Sequence, residues 1–485
     1  MDRYRLRKRV HVSWMIALVC LGVTIGIIAV QHIPSSLFYS IVWLLCGLAV
    51  MSVCLWKAYV WSIPLVILAG VSVGLWRGSI DRAELGVYKE LIGITMTVDG
   101  RVSEDVDLNA RGESVLRLST VRIGGHQLPG KIYVTTSAKA DIKRSDIVSV
   151  KGKLAAGFGT FPAAVYQARI LDIKRPEPGD IARRVRDWFA DAVRRAIPEP
   201  QASLGIGYIV GQRRALPPEL DQALQIAGLT HIVVASGYNL TILVRFARRS
   251  FEKVSKYLSA LSAGTMIVSF VAITGASPSM SRAGLVAGLS LLAWYYGRTF
   301  HPIILLFLAA AVTLFIHPSF GWNDLGWQLS FAAFAGVMIV APLAQAYFFG
   351  DKKPGTVRQI LGETVAAQLV TFPILVLAFG QFSNVAVLAN ILVLPLVPLA
   401  MLLTFGAGVM TLLAPALATI AGLPASWLLG YMTSVAEYLA GLPWAQTELN
   451  VTSWHVAGMY VLIVSGCLYV WWRTRFSLRD SSIIE

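Results

Sequence analysis

Apolar runs long enough to cross a bilayer recur along nearly the whole of this chain, at residues 12–30, 37–55, 60–76, 258–274, 283–296, 302–316, 325–349, 364–379, 385–413, 414–442 and 454–472. A helix needs about 20 predominantly apolar residues to span hydrocarbon, and a soluble globule has no use for that length repeated so often. Composition agrees, since 56% of the residues are hydrophobic and only 14% are charged, too few to clothe a soluble fold of 485 residues. The expected fold class is a polytopic α-helical membrane protein.

One apolar stretch differs from the others. Residues 226–243 read I-A-G-L-T-H-I-V-V-A-S-G-Y-N-L-T-I-L, in which His231, Ser236, Gly237, Asn239 and Thr241 interrupt the run. An unsatisfied polar or backbone group in hydrocarbon costs several kcal/mol, so a polar, glycine-broken segment at membrane depth must be buried in protein or line a wet cavity. Such a segment is the signature of a transport path.

The net charge of +15 suits an anionic partner, either nucleic acid or lipid headgroups, and the sum alone does not choose between them. The positions of the charges give a topology, because short loops rich in Lys and Arg stay cytoplasmic. Arg3, Arg5, Arg7, Lys8 and Arg9 put the N-terminus inside, so three spans leave residues 77 to about 200 outside. Arg245, Arg248, Arg249, Lys253 and Lys256 then lie inside, Arg298 inside, residues 317–324 outside, Lys352, Lys353 and Arg358 inside, and Arg473, Arg475 and Arg479 inside. The scheme requires residues 201–244 to cross once. All four cysteines, Cys20, Cys46, Cys54 and Cys467, fall in apolar runs, which leaves no disulfide framework for the external part. The first span has a basic flank but no small-residue cleavage site after it, and reads as a retained anchor.

Between the spans, residues 77–178 change character. Alternating runs at 93–98, 114–121, 131–136, 147–154 and 165–173 are separated by turn signals at Asp99-Gly100, Arg111-Gly112, Gly124-Gly125 and Pro129-Gly130. Five short strands in about a hundred residues suit an extracytoplasmic small β-barrel of the OB kind, with a two-sheet sandwich as the other arrangement. Residues 180–197 place Ile181, Val185, Trp188, Phe189, Ala192, Val193 and Ala196 opposite Arg183, Arg184, Arg186, Asp187, Arg194 and Arg195, the pattern of a basic amphipathic helix on a membrane surface or on the bundle. The expected divisions are a three-span anchor at 1–76, the OB-like domain at 77–178, an interfacial helix at 179–200, a polytopic channel domain at 201–472 and a cytoplasmic basic tail at 473–485.

Besides Ser236, Gly237 and Asn239, polar groups stand in apolar surroundings at Ser277 and Arg282, at Asp324, Gln328 and Ser330, and at Asn390, just before the helix-breaking Pro395 and Pro398. A guanidinium entering a membrane helix must snorkel, meet an acid or meet an anion, and Asp324 is the natural acid for Arg282 on the same side of the membrane. The two readings, a clamp between helices and a phosphate contact, both stay open. Enzyme signatures are absent. The 7 histidines form no H-x-H or H-E-x-x-H pair, there is no G-x-x-x-x-G-K-[ST] loop, and G-x-S-x-G does not occur, so no catalytic residue, metal ligand or cofactor is assigned.

These motifs resemble the ComEC family of competence proteins. The resemblance runs through L-P-P-E-L-D-Q-A-L-Q-I-A-G-L-T-H-I-V-V-A-S-G-Y-N-L at 216–240, G-A-S-P-S-M-S-R-A at 275–283, W-Q-L-S-F at 327–331 and A-N-I-L-V-L-P-L-V at 389–397, in family order. It implies an inner-membrane channel that admits single-stranded DNA during natural transformation, non-enzymatic, with Ser236, Gly237, Asn239, Ser277, Arg282, Asp324, Gln328, Ser330 and Asn390 along the path. An OB-like barrel binds single strands through a basic groove and stacking aromatics, and Arg101, Arg111, Arg117, Arg122, Lys131, Lys151 and Lys153 are its candidate contacts. Implied partners are single-stranded DNA, the lipid bilayer, a separate DNA receptor, a cytoplasmic motor or pulling protein, and a separate nuclease. Two departures stand out. Asn239 replaces the family's usual histidine after S-G-x, which argues against a proton-linked role, and the sequence runs to Glu485 without the histidine cluster of the family's metallo-β-lactamase-like domain, so nuclease activity is not carried over. The rival classes are a secondary transporter of a smaller anionic or lipid-like substrate, with Arg282 as the anion contact, and a non-transporting scaffold.

Overall fold

The computed structural model describes residues 9–475 except 110, 139, 212–215, 234–235, 276–277, 299–300 and 351–354. Its helices are α1 (Val12–Ala29), α2 (Ile41–Lys57), α3 (Ile63–Leu85), α4 (Ile181–Ala196), α5 (Gln201–Val210), α6 (Pro218–Ile226), α7 (Gly237–Phe251), α8 (Lys256–Thr274) and α9 (Pro278–Tyr295). The series continues with α10 (Pro302–Ile316), α11 (Leu325–Ala335), α12 (Ala341–Phe349), α13 (Thr356–Phe379), α14 (Ala386–Val393), α15 (Val397–Leu413), α16 (Ala418–Ala440) and α17 (Ser453–Thr474). The chain divides into two compact units, one of Met1–Ile181 with Ile304–Trp327 and the other of Ala182–Ile303 with Gln328–Glu485.

In the first unit, α1 and α3 pack through glycines spaced one turn apart, Gly22 and Gly26 on one helix and Gly70 and Gly74 on the other. A Cβ on Gly22 would meet the Ile67 carbonyl oxygen and stand 3.1 Å from Gly70 Cα, and a Cβ on Gly74 would meet the Val23 carbonyl oxygen and stand 3.1 Å from Gly26 Cα. Small residues let membrane helices approach until backbone touches backbone, which is where their association energy comes from. Two arginines near the end of α3 then satisfy the carbonyls left open at other helix ends. Arg82 Nη1 donates to the Val30, Gln31 and Ile33 carbonyls at 2.7, 3.2 and 3.2 Å, beyond the end of α1. Arg77 donates to the Phe315 and Ile316 carbonyls of α10 at 2.9 and 3.1 Å.

After α3 comes a barrel of β1 (Thr95–Val102), β2 (Ser114–Ile123), β3 (Ile132–Thr136), β4 (Ile147–Phe158) and β5 (Phe161–Val165), with β6 (Arg169–Lys174) added outside β4. The pairing runs β1-β2-β3-β5-β4 and closes back onto β1, with β3 and β5 parallel and every other pair antiparallel. Closure removes the free edges that an open sheet would expose and decides for the OB-like barrel over the sandwich. Val98, Leu116, Leu118, Ile132, Val134, Val148, Val150, Leu154 and Val165 fill its interior from alternate positions. One expected strand needs correction. The run 165–173 is not continuous: Gln167 adopts a left-handed conformation (φ 51°) and its N–H donates to Thr135 Oγ1 at 3.0 Å, so the run splits into the end of β5 and the start of β6.

A buried carboxylate ties β6 to the barrel. Asp146 is 1% exposed and accepts from Lys143 N at 2.9 Å and from Arg175 Nε and Nη2 at 3.1 and 2.9 Å. Replacing Arg175 by Met leaves that carboxylate with fewer donors, at a cost of about 1–2 kcal/mol because half the guanidinium faces solvent. Thermal unfolding of the detergent-solubilised chain should show the strand signal melting earlier, and an unchanged melt would mean Lys143 N alone suffices.

Among the described residues, eight helices are long and apolar enough to cross a membrane, with shorter apolar helices at Ile41–Trp56, Gln201–Val210 and Pro302–Ile316. In the second unit the run 385–413 breaks ahead of Pro395, as expected, and a further break follows α8. α14 ends at Val393, a tight turn at Leu394–Leu396 follows and α15 begins at Val397, while α8 ends at Gly275 in a left-handed cap. The run 325–349 bulges at Gly336–Val340 between α11 and α12, where a Cβ on Gly336 would stand 2.6 Å from the Ala366 carbonyl oxygen.

Helix α4 forms as expected but divides its faces differently. Phe189 packs 5.6 Å from the Phe405 ring and against Gly408 of α15, and Ala196 sits against Gly422 of α16. Arg183 and Arg186, expected on the solvent face, are buried and paired with Asp187 at 3.2 and 3.0 Å, while Ile181, Val185 and Trp188 are exposed. Asp187 supplies one negative charge to the two guanidiniums from within the helix, which lowers the cost of burying them. The exposed apolar stripe is then free for lipid.

Candidate functional site

The segment that interrupts the apolar pattern is built from short helices. α5 ends at Gly211 in a left-handed cap, and α6 starts at Pro218 with Glu219 and Asp221 in its first turn, where acids complement the helix dipole. Gly228 (φ 70°) turns the chain after α6 so close to α14 that a Cβ there would stand 2.5 Å from Ala386 Cβ. A single turn at Thr230–Val233 follows, and Gly237 opens α7. Ser236 is the N-cap of α7, its Oγ accepting from Asn239 N at 3.3 Å. Among the described residues, no helix between 201 and 236 is long enough to cross a bilayer by itself.

Asn239 holds this break together. It is fully buried, and its Nδ2 donates to the Tyr208 carbonyl of α5 and the Ile232 carbonyl of the short turn, both at 3.2 Å. Its Oδ1 has no hydrogen-bond partner. Three further buried oxygens of described residues in the same unit are also unpartnered, Ser383 Oγ, Asn390 Oδ1 on α14 and Thr404 Oγ1 on α15. Thr404 lies against Gly205, one turn of α5 before Tyr208, so Asn239 and Thr404 adjoin the same short helix. Buried polar atoms are normally paired with protein or water, so each of these oxygens is an exception to the rule. Thr404 carried no signal in the sequence, since a threonine inside an apolar helix ordinarily bonds its own backbone. Tyr208, thirty-one positions before Asn239, was equally invisible.

The other expected path residues fall as follows. Gly237 faces α9, where a Cβ on it would touch Ala283 at 3.4 Å, and Arg282 beside Ala283 is 3% exposed. α7, α8 and α9 share a core of Leu240, Ile267, Phe270 and Met280. Ser277 lies outside the described residues. Gln328 and Ser330 are half-buried on α11 in the second unit. Asp324 belongs to the first unit and accepts from Trp327 N at 2.5 Å at the start of α11. At the far end of α7, Arg248 stacks 5.1 Å from the Trp294 ring, and Lys256 lies 5.8 Å from Trp294 and 5.7 Å from Tyr295.

On the barrel, the candidate basic residues divide into two sets. Arg117 pairs with Glu104 and Asp107 at 3.5 and 3.0 Å, Lys131 with Glu104 at 3.2 Å, and Arg101 donates to Ser145 Oγ at 3.0 Å. Arg111, Arg122, Lys151 and Lys153 are exposed. Lys151 lies directly opposite Arg169 in the β4–β6 ladder, a like-charge pairing that disfavours the sheet unless an anion comes between. Arg169 joins the candidate residues through this pairing, which no local pattern in the sequence records. No group of three or more His, Cys, Asp or Glu that could hold a metal ion occurs among the described residues.

Comparison with known proteins adds an independent observation. Residues 208–475, more than half of the chain, match the family described as Competence protein. The chain belongs to that family. It is 28% identical over 219 residues to ComE operon protein 3 of Bacillus subtilis (strain 168), covering 44% of this chain and 27% of the relative. It is 25% identical over 236 residues to an uncharacterized protein of Aquifex aeolicus (strain VF5), covering 47% of this chain and 52% of the relative. The matched stretch thus spans between about a quarter and a half of these relatives. No solved structure matches. With its spanning-length helices and small barrel, this member of the family is a multi-pass helical membrane protein.

Proposed function

We propose that the chain is a non-enzymatic conduit through which single-stranded DNA crosses the cytoplasmic membrane during natural transformation. Family membership and the likeness to ComE operon protein 3 support the reading. The observation that carries it is the break at 226–239, where short helices replace a span and Asn239 holds the turn with one amide oxygen left unpaired in a buried setting. Irregular backbone at membrane depth is tolerated only where it is buried in protein or lines a wet cavity, and a transport path supplies both. In this reading both termini are cytoplasmic and the barrel faces outward, as the basic loops require. Work must come from elsewhere, from a motor, a pulling protein or the proton gradient, while a receptor delivers the DNA and a separate nuclease makes it single-stranded.

Entry is assigned to the exposed basic face of β1, β4 and β6, with Lys151, Lys153 and Arg169 as its centre. Binding of a labelled single-stranded oligonucleotide by the full chain should weaken steeply with salt, by about 0.7 in log–log slope per phosphate contacted. The Lys151→Ala/Arg169→Ala double variant should lower that slope by about 1.4 and weaken binding alike for all sequences. An unchanged slope assigns the strand to another surface. Undiminished transformation in a strain deleted for the gene would sink the conduit reading itself.

A further inference from the structure

A second feature of the barrel has no part in that reading. Tyr133, Phe158, Phe161 and Tyr166 form one aromatic cluster on the outside of β3, β5 and the β4–β5 hairpin, with ring centroids 4.9 Å apart for Tyr133–Phe158, 5.6 Å for Tyr133–Phe161, 5.7 Å for Phe158–Phe161 and 6.3 Å for Tyr133–Tyr166. Phe158 is 47% and Tyr166 50% exposed, although the barrel has its own filled core. An aromatic surface on an OB-like barrel invites the thought of stacked bases, but the charges here oppose it. Arg117, the cation on the strand position opposite Tyr133, is occupied by Glu104 and Asp107, and Lys131 is occupied by Glu104. Neither Arg117 nor Lys131 is free for a phosphate backbone.

The position of the cluster points elsewhere. Its hairpin sits at the end of the barrel that meets the membrane helices of the same unit. Gly130 packs against Leu85, the last residue of α3, and against Pro162, next to Phe161, while a Cβ on Gly159 would stand 3.5 Å from the Asn323 carbonyl oxygen, in the loop between α10 and α11. Tyr88, following α3, donates from its hydroxyl to the Pro129 carbonyl at 2.9 Å. The hairpin tip therefore stands beside the loop between α10 and α11, two membrane-type helices, and β3 and β5, which are parallel, carry the tyrosines away from that tip.

We propose that the β4–β5 hairpin is a bilayer anchor, with Phe158 and Phe161 seated in the outer headgroup layer and Tyr133 and Tyr166 at its watery edge. The arrangement follows the logic of aromatic belts, in which wholly apolar rings go deepest and rings with a polar handle stay where one end is wet. It fixes the tilt of the barrel against the membrane and is independent of the DNA reading. The test uses the full chain with Cys20, Cys46, Cys54 and Cys467 replaced by Ala and a single cysteine added for an environment-sensitive fluorophore, reconstituted in phospholipid vesicles. Label positions are Phe158→Cys, Thr160→Cys, which keeps all four rings, and Leu108→Cys, an exposed position opposite Ser114 at the far end of β2. Lipids carrying a quencher just below the headgroup should cut the emission at 158 and 160 and leave that at 108 unchanged. Emission at 160 that the lipid quencher leaves intact overturns the proposal, and shielding of 160 by an added oligonucleotide in place of lipid assigns the cluster to nucleic acid.

Discussion

Asn239→Leu is expected to cut DNA uptake at least about tenfold per inserted molecule, the factor that corresponds to about 1.4 kcal/mol. The substitution removes both donors of the side chain, so the Tyr208 and Ile232 carbonyls lose their partners in a buried place, and it replaces an unpaired oxygen by methyl groups. Each lost hydrogen bond in a membrane bundle costs about 0.6–2 kcal/mol, so some loss of folded protein accompanies the change. Three measurements separate the two effects: transformation frequency, the amount of inserted protein, and the same pair for Asn239→Ser, which loses the long reach but keeps the site polar. A path residue gives Leu well below Ser at equal protein level. Equal uptake per molecule for Asn239→Leu and the unaltered protein returns the residue to packing, and combining it with Ser236→Leu extends the test to the cap.

The second large effect is structural. Gly74→Leu, or Gly26→Leu, should abolish accumulation of folded protein. Side chains at these positions would run into backbone of the facing helix, at Val23 and Val71 respectively, so relief requires α1 and α3 to separate along their whole contact. Overpacking a core costs typically about 1–3 kcal/mol even when side chains can yield, and here the obstacle is main chain. Gly458→Ala and Gly466→Ala on α17 are the controls: nothing lies within 4 Å of a Cβ at either place, so stability should stay within about 0.5 kcal/mol. Membrane yield and melting temperature in detergent read both. Normal yield for Gly74→Leu would show that the α1–α3 seam is dispensable.

The spans were legible because hydropathy integrates over 20 residues, and local errors do not matter at that length. The strands were legible from alternation and turn residues. Barrel closure was not, because the β1–β4 ladder joins Thr95 to Lys153 and no local pattern records a pairing so distant. The misjudged faces of α4 have a local explanation that could have been read: Arg183 and Asp187 stand four apart and pair, so the arginine goes inside with its own counter-ion. The α1–α3 glycines also show their one-turn spacing in the sequence, although not which helix each pair would meet. At the candidate site the interruption itself was visible, since Ser, Gly and Asn in an apolar run violate the surrounding pattern. The partners were not. Asn239 bonds to Tyr208, and Thr404 lies against Gly205, only because separate short helices come together in space.

Arg77 and Arg82 also have a mechanical meaning. The barrel follows α3 directly in the chain, so a pull on its first strand enters the membrane through that helix. Arg82 grips the carbonyls beyond α1 and Arg77 those of α10, on either side of the point of attachment. Load on the end of α3 is thereby shared with the carbonyls beyond α1 and at the end of α10 through these side-chain hydrogen bonds. The first unit is braced at its anchorage like the foot of a mast.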